Sequence, residues 1–515
     1  MTETDPVSTI SAADLAICVK VLLKFQANDG YPSMTSSEYN LIRPLIHDLY
    51  TKEQRVSRKK TKDDRRRIRQ LDQTAKNTCL LRLGRAQTLQ QLELKDVLVP
   101  DGVVQIGSQE TCADFSQELL QPDACYVCKA KYRTLHFFYD RLCPSCATFN
   151  YEKRLQTTDL SNRVALVTGG RVKIGFRVVL KLLRANCFVI ATSRFPMDFL
   201  HRLHKEQDFE QWKDRIHVYG VDFRYSQLVE FFTEMILEKY HRLDFLINNA
   251  CQTIQRPKDY YQYLYKNERL TNYSLLPNDQ QNILEGNLQF YQRLVPLSNR
   301  IQNISDCLAL PSTNNQSNGT IEQTSSITST ATFDVNQQPI DLRTTNSWLL
   351  RLGDVSVNEV NEVLTINTLA PFILNSKLKI LMADRHPNEN DIKFIINVSA
   401  MEGSFSRLNK SDRHPHTNAA KAALNMMTRT SAMDYQKSNI YMVSVDTGWI
   451  NDEDPPEKAM KKLLKHNFQT PLDEEDAAAR ILDPIIDTYR QLADGKVDLD
   501  IPYGCFLKDY QSCNW

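Results

Sequence analysis

The chain has 515 residues, 42% hydrophobic and 24% charged, with a formal net charge of +1. That length exceeds what one hydrophobic core serves and predicts two or more domains. The near-neutral balance excludes a global field recruiting nucleic acid or anionic membrane, so any such binding must be local.

No apolar run approaches the roughly 20 residues that span a bilayer. Residues 1–11 have neither a basic region nor an apolar core, so no signal peptide is expected. The 12 cysteines are sparse for this length and fit reduced thiols better than a disulfide framework. A cytoplasmic location without membrane attachment follows as the expectation.

Residues 1–115 predict a mainly helical region. Leu15, Val19, Leu22 and Leu23 recur at helical spacing, as do Leu41, Ile42, Leu45, Ile46 and Leu49. A basic run follows: Lys52, Arg55, Arg58, Lys59, Lys60, Lys62, Arg65, Arg66, Arg67 and Arg69, opposed only by Glu53, Asp63 and Asp64. It fits a phosphate-contacting patch on nucleic acid or a solvated helix face. No aromatic residue interleaves it for base stacking, which favours the solvated face over a nucleic-acid partner.

Residues 116–158 carry two knuckles, Cys125-Tyr126-Val127-Cys128 and Cys143-Pro144-Ser145-Cys146. Each presents two thiolates, and together they supply a tetrahedral sulfur shell suited to zinc. Lys129, Lys131 and Arg133 would offset the thiolate charge. Four cysteines leave no open position for water, so the expected zinc is structural. Tyr132, His136, Phe137, Phe138 and Tyr139, between the knuckles, read as the small core of a metal-stapled module. A base-stacking platform is the alternative.

From 159 to 515 short β-rich runs (164–168, 187–192, 216–221, 243–248, 394–399 and 440–445) alternate with amphipathic helical patterns. This predicts an α/β domain with a Rossmann-type doubly wound parallel sheet. An insertion at about 255–345 interrupts it. Its middle, 311–338, is rich in Ser, Thr, Asn and Gln and reads as disordered surface chain.

The first strand of this domain ends in Thr168-Gly169-Gly170-Arg171-Val172-Lys173-Ile174-Gly175. Glycines at a strand–helix turn let the backbone approach a pyrophosphate, which then sits at the helix N-terminus. Thr168, Gly169, Arg171, Lys173, Ile174 and Gly175 are therefore candidate dinucleotide contacts.

The segment resembles the TGxxxGxG turn of the short-chain dehydrogenase/reductase family, and further motifs follow in the family's order. Asp222 falls where that family contacts the adenine. Asn248-Asn249-Ala250 is similar to its NNAG motif, with Cys251 replacing the glycine. Asn367 resembles the helix asparagine of its catalytic tetrad, and Lys421 the lysine of YxxxK. Thr447-Gly448-Trp449 resembles the PG loop near the nicotinamide. The resemblance implies an oxidoreductase acting on a small-molecule substrate. It also implies contacts from Asn248, Ala250 and Lys421 to the cofactor, and a homo-oligomer formed through the helices carrying Asn367 and Lys421. Lys173 stands at the central glycine, a substitution similar to the pteridine reductases, and the second strand of the domain ends in Ser193-Arg194. Cations there favour a 2′-phosphate, so Arg171, Lys173 and Arg194 predict NADP(H).

The family's tyrosine position is Thr417, whose hydroxyl is far too weak an acid to replace a phenol. The serine position falls on Ala400 by register, with Ser399 beside it. His416 is a candidate acid at neutral pH, as are Tyr260, Tyr261 and Tyr263 of the insertion. An oxidoreductase with an atypical site is the expectation. The alternatives are an NADP(H)-binding scaffold or sensor and, behind it, a nucleic-acid binder using the basic and zinc regions.

Overall fold

The computed structural model of the chain describes residues 11–27, 37–95, 117–265, 268, 273, 275–297, 334, 338–383, 391–407, 410–450, 453–455, 458, 461–462 and 467–515. It divides into two compact units, Met1–Asp72 and Gln73–Trp515.

The first unit contains the helix Ala12–Ala27 and most of the helix Ser37–Asn77. Its periodic apolar residues Leu15, Val19, Leu23, Leu45 and Leu49 are exposed rather than gathered into a core. The side chains of Leu22, Leu41, Ile42 and Ile46 lie outside those described. Every cation of the basic run, Lys52 to Arg69, is exposed, which a solvated face and a phosphate-contacting patch both require.

The second unit begins earlier than the composition shift near residue 115 suggests. The amides of Leu80 and Leu81 donate to the carbonyls of Phe137 and Phe138 at 2.9 and 3.2 Å. Arg82 pairs with Asp140 at 2.7 Å, both buried. Cys79 and Leu81 share a core with Leu119, Leu135, Phe138 and Leu142. These contacts join the helix Leu80–Lys95 to the knuckle region, a long-range pairing that local sequence pattern cannot announce.

The knuckle region is a two-stranded antiparallel ribbon, β1 (Glu118–Ala124) and β2 (Lys131–Thr134), followed by the helix Pro144–Leu155. Pro144 suits that helix start because its missing N–H would have no partner there. The region packs onto the sheet domain through the helix Glu474–Ala493, whose capping box joins Asp473 and Asp476. Arg154 reaches Asp473 at 2.5 Å and Asp476 at 3.0 Å, and the Tyr139 hydroxyl donates to Asp476 at 2.5 Å.

The sheet domain holds β3 (Val164–Val167), β4 (Phe188–Ser193), β5 (Ile216–Gly220), β6 (Phe245–Asn248), β7 (Lys393–Ser399), β8 (Ile440–Asp446), β9 (Phe506–Lys508) and β10 (Gln511–Cys513). Their spatial order is β10-β9-β8-β7-β6-β3-β4-β5. Every pair is parallel except β9 with β10. Successive side chains point to opposite faces, so Ala165 and Val167 join one apolar cluster and Leu166 the other. Phe394 and Ile396 divide from Ile395 in the same way. Both faces are covered, as continuous apolar strands require. The strand order reverses between the neighbours β3 and β6, from which the chain proceeds outward in opposite directions, to β4 and β5 on one side and to β7 and β8 on the other. Such a switch point leaves a crevice at the carboxyl ends of the strands.

Among the described residues, no helix is long and apolar enough to cross a membrane.

Candidate dinucleotide site

The glycine turn leaves β3 and enters the helix Lys173–Arg184. Gly169 has φ +69°, and a Cβ there would lie 2.9 Å from the Ala250 Cα. A Cβ on Gly175 would lie 2.1 Å from the Gly169 carbonyl oxygen. Neither position admits a side chain. Lys173, at the family's central glycine, keeps a left-handed φ of +53°, a conformation costing an L-residue about 1–2 kcal/mol. The helix starts at Val172–Lys173 with no side chain capping its first amides, which leaves them for an anion.

The turn is tied to the end of β6. Thr168 Oγ1 accepts from the amides of Asn249 and Ala250 at 3.0 and 2.9 Å. Asn249 Nδ2 donates to the carbonyls of Thr168 and Gly169 at 3.0 and 3.1 Å. Asn248 points elsewhere. Its Nδ2 donates to Asn375 and Asn397 at 2.7 and 2.8 Å in a buried amide network.

The crevice is a cleft of about 1250 Å³. Gly169, Arg171, Lys173, Ile174, Gly175, Arg194, Asp222, Ala250, Ser399, Thr417 and Lys421 all line it. Of the expected site residues, Thr168, Asn248, Asn367 and His416 lie behind its wall. Thr168 and Asn248 hold backbone and neighbouring amides. Asn367 sits in a π-turn, Thr365–Leu369, and donates to the carbonyls of Gln252 and Val363 at 2.8 and 2.9 Å. Its contact is therefore to the wall residue Gln252. His416 is 4% exposed, and burial holds its imidazole below the usual range.

Charge is distributed unevenly. Arg194 lies over the Tyr261 ring at 4.4 Å and near Phe195 at 5.6 Å, which orients its guanidinium. Arg171, expected to serve a phosphate, is instead paired with Asp198 at 2.6 Å and with Gln338 at 2.9 Å. Asp222 is held by Arg224 at 2.6 Å. The polar stretch expected at the surface thus ends in a buried residue, Gln338. Most of 311–338 lies outside the described residues. The insertion's edges reach the cleft through Tyr260, Tyr261 and Pro339, and Trp348 lines it just beyond. The Tyr260 hydroxyl is spent on the Pro339 carbonyl at 2.7 Å.

At the other end, Lys421 Nζ donates to the Val398 carbonyl at 2.9 Å. Ser399 Oγ is buried with no hydrogen-bond partner among the described groups. Thr417 Oγ1 donates to the Thr253 carbonyl at 3.4 Å, and Trp348 stacks on His414 with centroids 4.0 Å apart. Asp446 faces the cleft from the end of β8. It accepts the amides of Met401 and Gly448 at 2.9 and 3.2 Å, and burial pushes its carboxyl up to about 6. Asn249, Asp446 and the knuckle residue Tyr126 also line the cleft. Asn249 was visible within the NNA motif. The other two carry no sequence signal.

The Sγ atoms of Cys125, Cys128, Cys143 and Cys146 lie within 4.8 Å of one another, and those of Cys128 and Cys143 are 3.6 Å apart. A tetrahedral zinc thiolate shell separates its sulfurs by about 3.8 Å, so the arrangement fits.

Residues 163–266 match the family model of short chain dehydrogenases. An uncharacterized protein of Acanthamoeba polyphaga mimivirus is 27% identical over 409 residues, 77% of this chain and 78% of that one. The Pseudomonas aeruginosa RhlG/NADP complex is 14% identical, with a TM-score of 0.37 over 68% of this chain and 95% of that one. A short-chain dehydrogenase/reductase from Burkholderia multivorans with bound NADP is 15% identical, with a TM-score of 0.39 over 68% and 99%.

Proposed function

From a sheet domain that is that of a divergent short-chain dehydrogenase/reductase, we propose that the chain is an NADP(H)-dependent oxidoreductase with an atypical active site. The observation that carries this is the make-up of one cleft. It joins uncapped amides at Lys173–Gly175 and the cation of Arg194 to Lys421 and to Ser399, whose hydroxyl is buried and has no partner among the described groups. The amides would hold the pyrophosphate, Arg194 the 2′-phosphate and Lys421 the nicotinamide ribose. NADPH supplies a hydride when bound. Ser399 Oγ, buried and unpartnered among the described groups, would donate a hydrogen bond to a substrate carbonyl, in place of Ala400. Lys421 contributes fixed positive charge beside it. The four-cysteine module would hold one structural zinc.

A second reading, an NADP(H)-binding scaffold or sensor, draws on Thr417 at the tyrosine position and on the burial of His416. The deciding experiment mixes the protein with NADPH and panels of carbonyl, enone and pterin compounds and follows loss of the reduced nicotinamide. Turnover supports the oxidoreductase. Binding without oxidation across all panels supports the scaffold.

A further inference from the structure

The first cysteine knuckle enters the cleft. Tyr126 and Lys129 line it together with Thr447, Gly448, Trp449 and Ile450, the loop that leaves β8. The Trp449 amide donates to the Tyr126 hydroxyl at 2.9 Å. Ile450 packs against the knuckle core, which includes Leu472. Thr470 Oγ1 donates to the Ile450 carbonyl at 3.0 Å. From the helix beside the knuckles, Arg85 donates to the carbonyls of Thr470 and Leu472, each at 2.7 Å. The loop's backbone is thus held from the knuckle side by a hydroxyl and, through Thr470, by an arginine.

We propose that Tyr126 is a positioning residue of the nucleotide site. It fixes the Trp449 backbone, and so couples the geometry of this loop to metal occupancy of the four-cysteine shell. The placement of the loop beneath the nicotinamide rests on the NADP(H) reading. The coupling itself does not. Cys125 precedes Tyr126 directly and Cys128 follows two residues later, so a metal on both cysteines leaves the tyrosine backbone little freedom. A knuckle without metal loses that constraint, and the hydroxyl loses its fixed position opposite Trp449. Modules of four cysteines usually staple a fold at a distance from its chemistry. Here the stapled turn is itself a wall of the cleft.

The test compares native protein, Tyr126→Phe and chelator-treated native protein by hydrogen exchange of the loop amides. Phenylalanine keeps the ring and the core packing and removes only the hydroxyl, and metal analysis of the variant establishes that its shell is intact. The Trp449 amide should exchange roughly tenfold faster in Tyr126→Phe, the scale of losing one hydrogen bond, and faster again after chelation. Unchanged exchange in the variant would overturn the positioning role. Unchanged exchange after chelation would overturn the coupling to metal. Both readouts stand whether or not a cofactor binds. A parallel titration carries the proposal to the cofactor. NADPH affinity should fall several-fold in Tyr126→Phe, while that of 2′-phospho-ADP-ribose, which lacks the nicotinamide, stays unchanged. An equal loss for both ligands would contradict a role confined to this loop, and native protein that binds neither would count against the NADP(H) reading instead.

Discussion

The ammonium of Lys421 lies 2.9 Å from the carbonyl oxygen of Val398, the residue before Ser399. This bond anchors a buried lysine at the end of β7, with Thr417 rather than a phenol four residues before it on the same helix. Lys421→Ala should weaken NADPH binding by roughly tenfold or more, the scale of a charge-assisted hydrogen bond. Thr417→Ala should change affinity and turnover little. Turnover that vanishes in Thr417→Ala would show that the threonine does chemistry and would refute this assignment.

Elemental analysis should find about one zinc per chain, held by Cys125, Cys128, Cys143 and Cys146. Cys128→Ser should lose the metal and lower the melting temperature, because the knuckle core packs against Cys79, Leu81 and Leu472. Metal-free protein that melts like the native chain would contradict a structural zinc.

Asp446 gives a pH dependence of defined sign. Burial raises its carboxyl, Lys508 opposes, and Glu402 and Asp509 add to the rise, giving a value of about 6 against the ordinary 3.8. A raised pKa contributes stability below the unfolded value, and that contribution is lost as pH climbs through the folded one. Native protein should therefore lose more stability than Asp446→Asn between about pH 4 and pH 7, by at most about 3 kcal/mol. Denaturant melts across that window supply the comparison. Parallel curves would remove Asp446 as the titrating group.

Arg171 lines the cleft and is also held by two protein partners. Its pairing with Asp198 and Gln338 predicts that Arg171→Ala costs about 1–3 kcal/mol of stability while NADPH still binds. A variant of native stability with abolished binding would return Arg171 to the phosphates.

The parts of the site built from contiguous residues were legible in the sequence. The glycine turn, the NNA motif, Lys421 and the cysteine spacing each encode a local backbone geometry or ligand set, and the structure brings them to one crevice or one sulfur cluster. What escaped depends on pairings distant in sequence. The partners of Arg171, Asp198 and Gln338, lie 27 and 167 residues away in sequence. The burial of His416 likewise comes from the surrounding fold. The start of the second unit at Gln73 follows from Arg82 meeting Asp140 across 58 residues of sequence. Simple register puts a hydroxyl-free Ala400 at the serine position, whereas Ser399, the last residue of β7, lines the same cleft with its hydroxyl buried and unpartnered among the described groups.

As proposed, the cleft takes a 2′-phosphorylated dinucleotide. Parallel titrations of NADPH and NADH into native protein and Arg194→Asp test it most directly, because Arg194 is braced by Tyr261 and Phe195 beside the cleft. Native protein should bind NADPH at least tenfold more tightly than NADH, and Arg194→Asp should lose that preference, a change of about 1.5–3 kcal/mol. Equal affinity of native protein for the two cofactors, or binding of neither, would contradict the account.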